Sequence, residues 1–259
     1  LPINLEGIVA SNITRGHRFL GRNQIEVFSI EDYFKQLSKN SVVLDQNVRK
    51  EAIKAQAEEV AKSLGGEVEI EDDLLEEITY LVEYPTAFYG EFNADYVKLP
   101  KEVVTTPMKE HQRYFPVSKD GKLLPYFIAV RNGDKNGIET VKAGNEKVLE
   151  ARLADALFFY DEDIKKPLES FVENLKTVVF QAKLGTVYDK TLRIEKLASD
   201  IINNLDEKEA LNDTLRAAKL CKADLVTNMV FEFTELQGVM GREYAKVSGE
   251  NDDVAQAIF

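Results

Sequence analysis

Apolar residues recur in two rhythms along the chain, and the rhythm changes near its middle. Up to about Gly137 the pattern is mixed. QIEVFSI (Gln24–Ile30) alternates at period two and predicts a strand, and SVVLD (Ser41–Asp45) predicts a second, shorter one. EDYFKQLSK between them suits a short helix. Asn47 to Leu64 predicts a longer one, with Ile53, Ala57, Val60 and Leu64 on one face and Gly65-Gly66 ending it. Asp72–Val82 predicts a further amphipathic helix, stopped at Tyr84-Pro85. Lys119-Asp120-Gly121 between two apolar runs is a hairpin signal. The aromatic run FYGEF reads as core plus a turn at Gly90.

Beyond Gly137 the period is helical almost throughout, over Leu168–Leu175, Tyr188–Leu205, Glu207–Cys221 and Ala223–Glu235, with a last piece from Asp252. Ile194, Leu197, Ile201 and Leu205 form an apolar row expected to pack the helices together. The expected fold class is α+β: a mixed part over 1–137, then an all-helical part over 138–259. The final residues, VAQAIF, stop in the middle of an apparent helix, so a piece of a longer protein is expected.

The helical part is anchored on Gly144–Pro167. A helix from about Glu146, after a break at Gly144-Asn145, places Leu149, Leu153, Ala156, Leu157 and Tyr160 on one buried stripe. Arg152 and Asp155 fall at the edge of that stripe, three residues apart. A charge there needs a partner, so the two are expected to form a structural ion pair with each other; a ligand-facing pair is the alternative.

Composition narrows the function. The 259 residues include a single cysteine, Cys221, and two histidines, which leaves few ligands for a zinc site and no internal disulfide. No window approaches the apolar length of a membrane helix, and a cytoplasmic protein is expected. The net charge of −12 argues against a general nucleic-acid binder but leaves room for a local basic patch.

Two clusters supply such a patch. Asn12–Arg18 sets Arg15, His17 and Arg18 around Gly16. That suits a phosphate-holding loop, since arginine offers forked donors and glycine admits the backbone; a solvated loop with a structurally paired arginine is the bland alternative. Lys109–Phe115 carries Lys109, His111 and Arg113 into a strand whose Tyr114 and Phe115 point to opposite faces. One ring would then pack while the other is available for stacking on RNA, or the segment is a strand entry with a satisfied histidine. All seven polar or aromatic residues, Tyr114 included, are candidate RNA contacts. Asp224, Glu232 and Glu235 suggest a hard-cation cluster or, more simply, a solvated face. No glycine-rich phosphate loop or GxSxG motif occurs.

GNEKVLEARLADALFF, with TPMKEHQRYFPV upstream and KADLVTNMVFEFTELQGVMGREYA downstream, resembles the beta subunit of bacterial heterotetrameric glycyl-tRNA synthetase. The likeness begins at TRGHRFLG and runs through nearly the whole chain. It implies an enzyme of two alpha and two beta subunits that joins glycine to tRNA(Gly) using ATP with Mg2+. The alpha subunit would carry the adenylate chemistry and the beta subunit would bind tRNA, so neither a cofactor nor a catalytic residue is expected in this piece. The helical part then resembles an HD-domain bundle. Arg193–Lys196 and Ala217–Lys222 look like the places where active HD phosphohydrolases carry their metal-binding histidines. Neither holds one here, so a metal site is not expected.

Overall fold

The computed structural model describes residues 3–205 and 207–259. The chain divides into two compact units, one of residues 1–97 with 107–150, the other of 98–106 with 151–259. The fold is α+β.

The first unit opens on short antiparallel pairs, β1 (Asn4–Leu5) with β2 (Ile8–Val9) and β3 (Ile13–Thr14) with β4 (Ile25–Glu26). Only Ile25 and Glu26 of the expected first strand pair. The segment ends where Ser29 accepts the N–H of Asp32, starting α1 (Ile30–Lys39). Ser41–Asp45 forms no strand. Asp45 is instead the cap of α2 (Gln46–Ser63), its carboxylate taking the Asn47 and Val48 N–H groups. The short strand β5 (Glu67–Val68) leads to α3 (Asp72–Leu81) and β6 (Pro85–Glu91). Next comes α4 (Lys101–Thr106), which belongs to the second unit.

Pro107 follows α4. A proline lacks the N–H and crowds the carbonyl four residues back, so the regular helical pattern cannot continue, and Pro107–Gln112 is a π-helical turn. After it run β7 (Phe115–Lys119) and β8 (Lys122–Asn132), joined as expected at Asp120-Gly121. Both residues have positive φ, 50° and 75°, the two-residue turn whose twist matches antiparallel strands. The four-stranded antiparallel sheet has the order β5-β7-β8-β6. Its Phe115, Val117 and Ile128 pack with Ile53, Ala57 and Ala61 of α2 and Leu74, Leu75 and Ile78 of α3. Phe127, the neighbour of Ile128, faces the other side and is also fully buried.

Helix α5 (Ile138–Asp163) is a single 26-residue helix. The boundary expected after 137 falls where it starts, and its first half counts with the first unit. No break occurs at Gly144-Asn145, since one exposed glycine lowers helix stability without ending the helix. The stripe is buried at Leu149, Leu153 and Ala156.

The second unit is not wholly helical. A 3-10 segment, Leu168–Thr177, leads into a hairpin of β9 (Val179–Gln181) and β10 (Gly185–Thr186). Then come α6 (Val187–Asn204), started by a reciprocal Thr186–Asp189 cap, α7 (Leu211–Leu220), α8 (Asn228–Glu232), α9 (Val239–Val247) and α10 (Asp252–Ile258). On α6 the packing face is Val187 and Thr191, both buried, while Leu197, Ile201 and Leu205 are 60%, 57% and 64% exposed. The apolar row expected to bind the bundle together is thus largely in solvent.

Candidate nucleic-acid interface

The loop from Arg15 to Arg22 is built inward from His17. Gly16 and Gly21 let it close on Asn40: an added Cβ would lie 2.5 Å from the Asn40 Cβ at Gly16 and 2.6 Å from the Asn40 carbonyl at Gly21. The His17 N–H donates to that carbonyl at 2.9 Å. Nδ1 of His17 accepts from the Phe19 and Leu20 N–H groups at 3.3 and 3.2 Å, so the ring proton sits on Nε2, which faces Asn132 Oδ1 at 3.0 Å. The expectation that His17 belongs to a basic surface site is therefore corrected. It is 1% exposed, because the imidazole is needed to satisfy the loop's own amides. Arg15 and Arg18 are exposed and meet no carboxylate among the described residues; the Arg18 guanidinium lies 5.5 Å from the Phe19 ring centroid.

The second cluster is mostly turned to internal use. Lys109 donates to Glu71 at 2.6 Å and Arg113 to Glu77 at 2.7 Å. Arg113 also holds the Glu110 carbonyl at 2.7 Å and adopts φ 58°, so its guanidinium closes off the π-helical turn. His111 is half-buried within that turn. Tyr114, expected as a stacking surface for RNA, is 4% exposed. Its ring stacks on Phe127 at 4.5 Å, its hydroxyl donates to Asn145 Oδ1 at 2.8 Å, and burial pushes the phenol up to about 12. Both Tyr114 and Phe115 are packed because the sheet is covered on both faces. The sequence shows alternation, not which faces acquire a cover.

In the second unit Arg152 does not pair with Asp155. It reaches Glu232 at 3.4 Å, while Asp155 is exposed. Of the three acidic candidates there, Asp224 is neither solvated nor part of a metal cluster. It is 0% exposed, and its Oδ2 accepts the Gly238 and Gly241 N–H groups at 2.6 and 3.2 Å, capping α9 from another element. Asp163, also buried, accepts from Asn228 Nδ2, the Asn228 and Met229 N–H groups and the Tyr244 hydroxyl. Local pattern could not reveal either role, because both carboxylates act on segments distant in sequence. Cys221 is partly buried, and burial pushes its thiol up. Among the described residues no group of three or more His, Cys, Asp or Glu could hold a metal ion, and no helix is long and apolar enough to cross a membrane.

The described surface therefore offers a cationic loop free of internal ion pairs, on an α+β protein without a metal cluster among the described residues. The family model described as glycyl-tRNA synthetase beta subunit matches residues 1–259, and the chain belongs to that family. Relatives named glycine--tRNA ligase beta subunit are 72% identical in Clostridioides difficile (strain 630), over 259 residues, and 52% identical in Syntrophomonas wolfei, over 262. One from Moorella thermoacetica is 51% identical over 260. Each alignment covers 100% of this chain and 38% of the relative, so the chain spans well under half the length of these relatives.

Proposed function

We propose that this chain is a part of a glycyl-tRNA synthetase beta subunit that supports ATP-dependent attachment of glycine to tRNA(Gly). It does so by binding tRNA, the alpha subunit or both, in a cytoplasmic alpha2beta2 enzyme, and it catalyses no step itself. The observation that carries the reading is the family match along all 259 residues. Arg15 and Arg18 support RNA contact, being exposed cations without acidic partners among the described residues, in a chain of net charge −12. In this reading ATP with Mg2+ is used by the whole enzyme, and no step of that chemistry is assigned to the residues of this chain. The test is a titration of the chain with tRNA(Gly) at several salt concentrations. Affinity should fall log-linearly with salt, and Arg15→Ala or Arg18→Ala should reduce the slope by about one phosphate's worth. Binding that is absent, or indifferent to salt, refutes RNA contact.

A second reading, a protein-interaction surface without RNA contact, is favoured by the exposed row of Leu197 and Ile201 on α6 and Leu205 at its C-cap. Pull-down of the alpha subunit by the chain, lost on Ile201→Glu while tRNA binding is absent, would decide for it.

A further inference from the structure

The loop between Arg15 and Arg22 presents one large side chain that its cations do not account for. Phe19 is 80% exposed. An exposed phenylalanine on a loose loop needs no explanation, but here the backbone beneath the ring is fixed. The N–H groups of Phe19 and Leu20 are both held by His17 Nδ1, the Gly21 N–H returns to the His17 carbonyl at 2.8 Å, and His17 is buried against Asn132. The loop is ordered before anything binds, which removes an entropic cost of association.

The ring's surroundings point to the kind of ligand. An aromatic anchor for a protein partner normally sits in an apolar collar. Phe19 instead has the Arg18 guanidinium over its ring at 5.5 Å, and Arg15 and Arg22 are exposed on the same loop. A ring set among cations that meet no acid among the described residues suits a ligand with flat faces joined by phosphates. We propose that Phe19 is a stacking platform for an unpaired nucleotide of a bound RNA, with Arg15 and Arg18 on the flanking phosphates. The proposal rests on the RNA-binding reading above and adds to it the conformation of the RNA that is read and the residue that reads it.

The chain contains no tryptophan, so Phe19→Trp creates a single fluorescent reporter at the site. It would be titrated with tRNA(Gly), a short single-stranded RNA and a long duplex RNA. The expected result is quenching by the first two and little by the duplex. Phe19→Ala should bind tRNA about 10–100-fold more weakly with an unchanged salt slope, while Phe19→Tyr keeps most of the affinity. If the wild type binds tRNA, yet Phe19→Trp emission is unmoved and Phe19→Ala binds normally, the platform is refuted and RNA binding stands. Equal quenching by the duplex refutes the unpaired nucleotide, and quenching by an acidic peptide but not by RNA assigns the loop to a protein partner. A wild-type chain that binds no tRNA sinks both proposals.

Discussion

His17 donates from Nε2 to Oδ1 of Asn132 at 3.0 Å, across 115 positions of sequence. The same oxygen accepts the N–H groups of Glu83 and Tyr84 at 2.9 and 3.1 Å. One amide side chain thus ties the end of β8, the entry to β6 and the cationic loop together. Asn132→Ala should cost about 1–2 kcal/mol, since three donors lose one acceptor at a site that water partly reaches. The sharper effect should be local: trypsin should cut at Arg15, Arg18 or Arg22 several-fold faster in the variant under native conditions. Unchanged cleavage would mean that the loop's own hydrogen bonds hold it without Asn132.

Gly90 stands opposite Phe127 in the pairing of β6 with β8, and an added Cβ would lie 2.2 Å from Cζ of that ring. Gly90→Ala should therefore cost about 1–3 kcal/mol through overpacking, read as a lower denaturant midpoint with an unchanged slope. The aromatic run around Gly90 suggested a turn. In the structure the glycine makes room for a cross-strand ring, a relationship that depends on register and is invisible until the strands are paired.

Gly144 is the opposite case. It lies in the interior of α5, exposed, with nothing among the described residues within 4 Å of an added Cβ and an ordinary helical φ. Gly144→Ala should stabilise the chain by about 0.5–1 kcal/mol, because alanine loses less backbone freedom on entering a helix. Thermal melting would check it. A lower melting temperature would show that this glycine serves a bend in the helix or a contact made by another molecule.

Helices whose caps lie in the adjoining sequence were legible: Gly65 after α2, the hairpin turn at Asp120-Gly121 and the buried positions of α5 all follow from local pattern. Helix α9 was not. Its N-cap, Gly238, offers no side chain, and the cap comes from Asp224 fourteen residues earlier. The candidate site divides the same way. Residue type pointed to Arg15 and Arg18, but whether a charge or ring faces water depends on what folds against it. His17 and Tyr114 were drawn inside by amide and ring partners, Lys109 and Arg113 were claimed by Glu71 and Glu77, and Arg152 found Glu232 rather than Asp155. Leu197, Ile201 and Leu205 are exposed instead, because periodicity marks an apolar face without naming its cover.

The Asp224 carboxyl turns the α9 cap into a pH-dependent element. Burial raises it above its ordinary 3.8, against the two amide bonds that pull it down, and its Oδ1 has no hydrogen-bond partner among the described residues. The folded state therefore holds this proton more tightly than the unfolded chain does. By linkage the group's contribution is full below the unfolded value of about 3.9, is lost as pH rises through the folded value, and is level above it. The variant Asp224→Asn keeps a side-chain oxygen for the Gly238 and Gly241 N–H groups and cannot titrate. Unfolding free energies of both proteins should be measured from pH 4 to pH 8, so that all other titrations cancel in the difference. Wild type minus variant should fall across the lower part of that range, by about 1.4 kcal/mol for each unit separating the folded and unfolded values, and then stay flat. A difference that is constant, or that grows with pH, would mean that the carboxylate is better solvated or better paired than its position indicates.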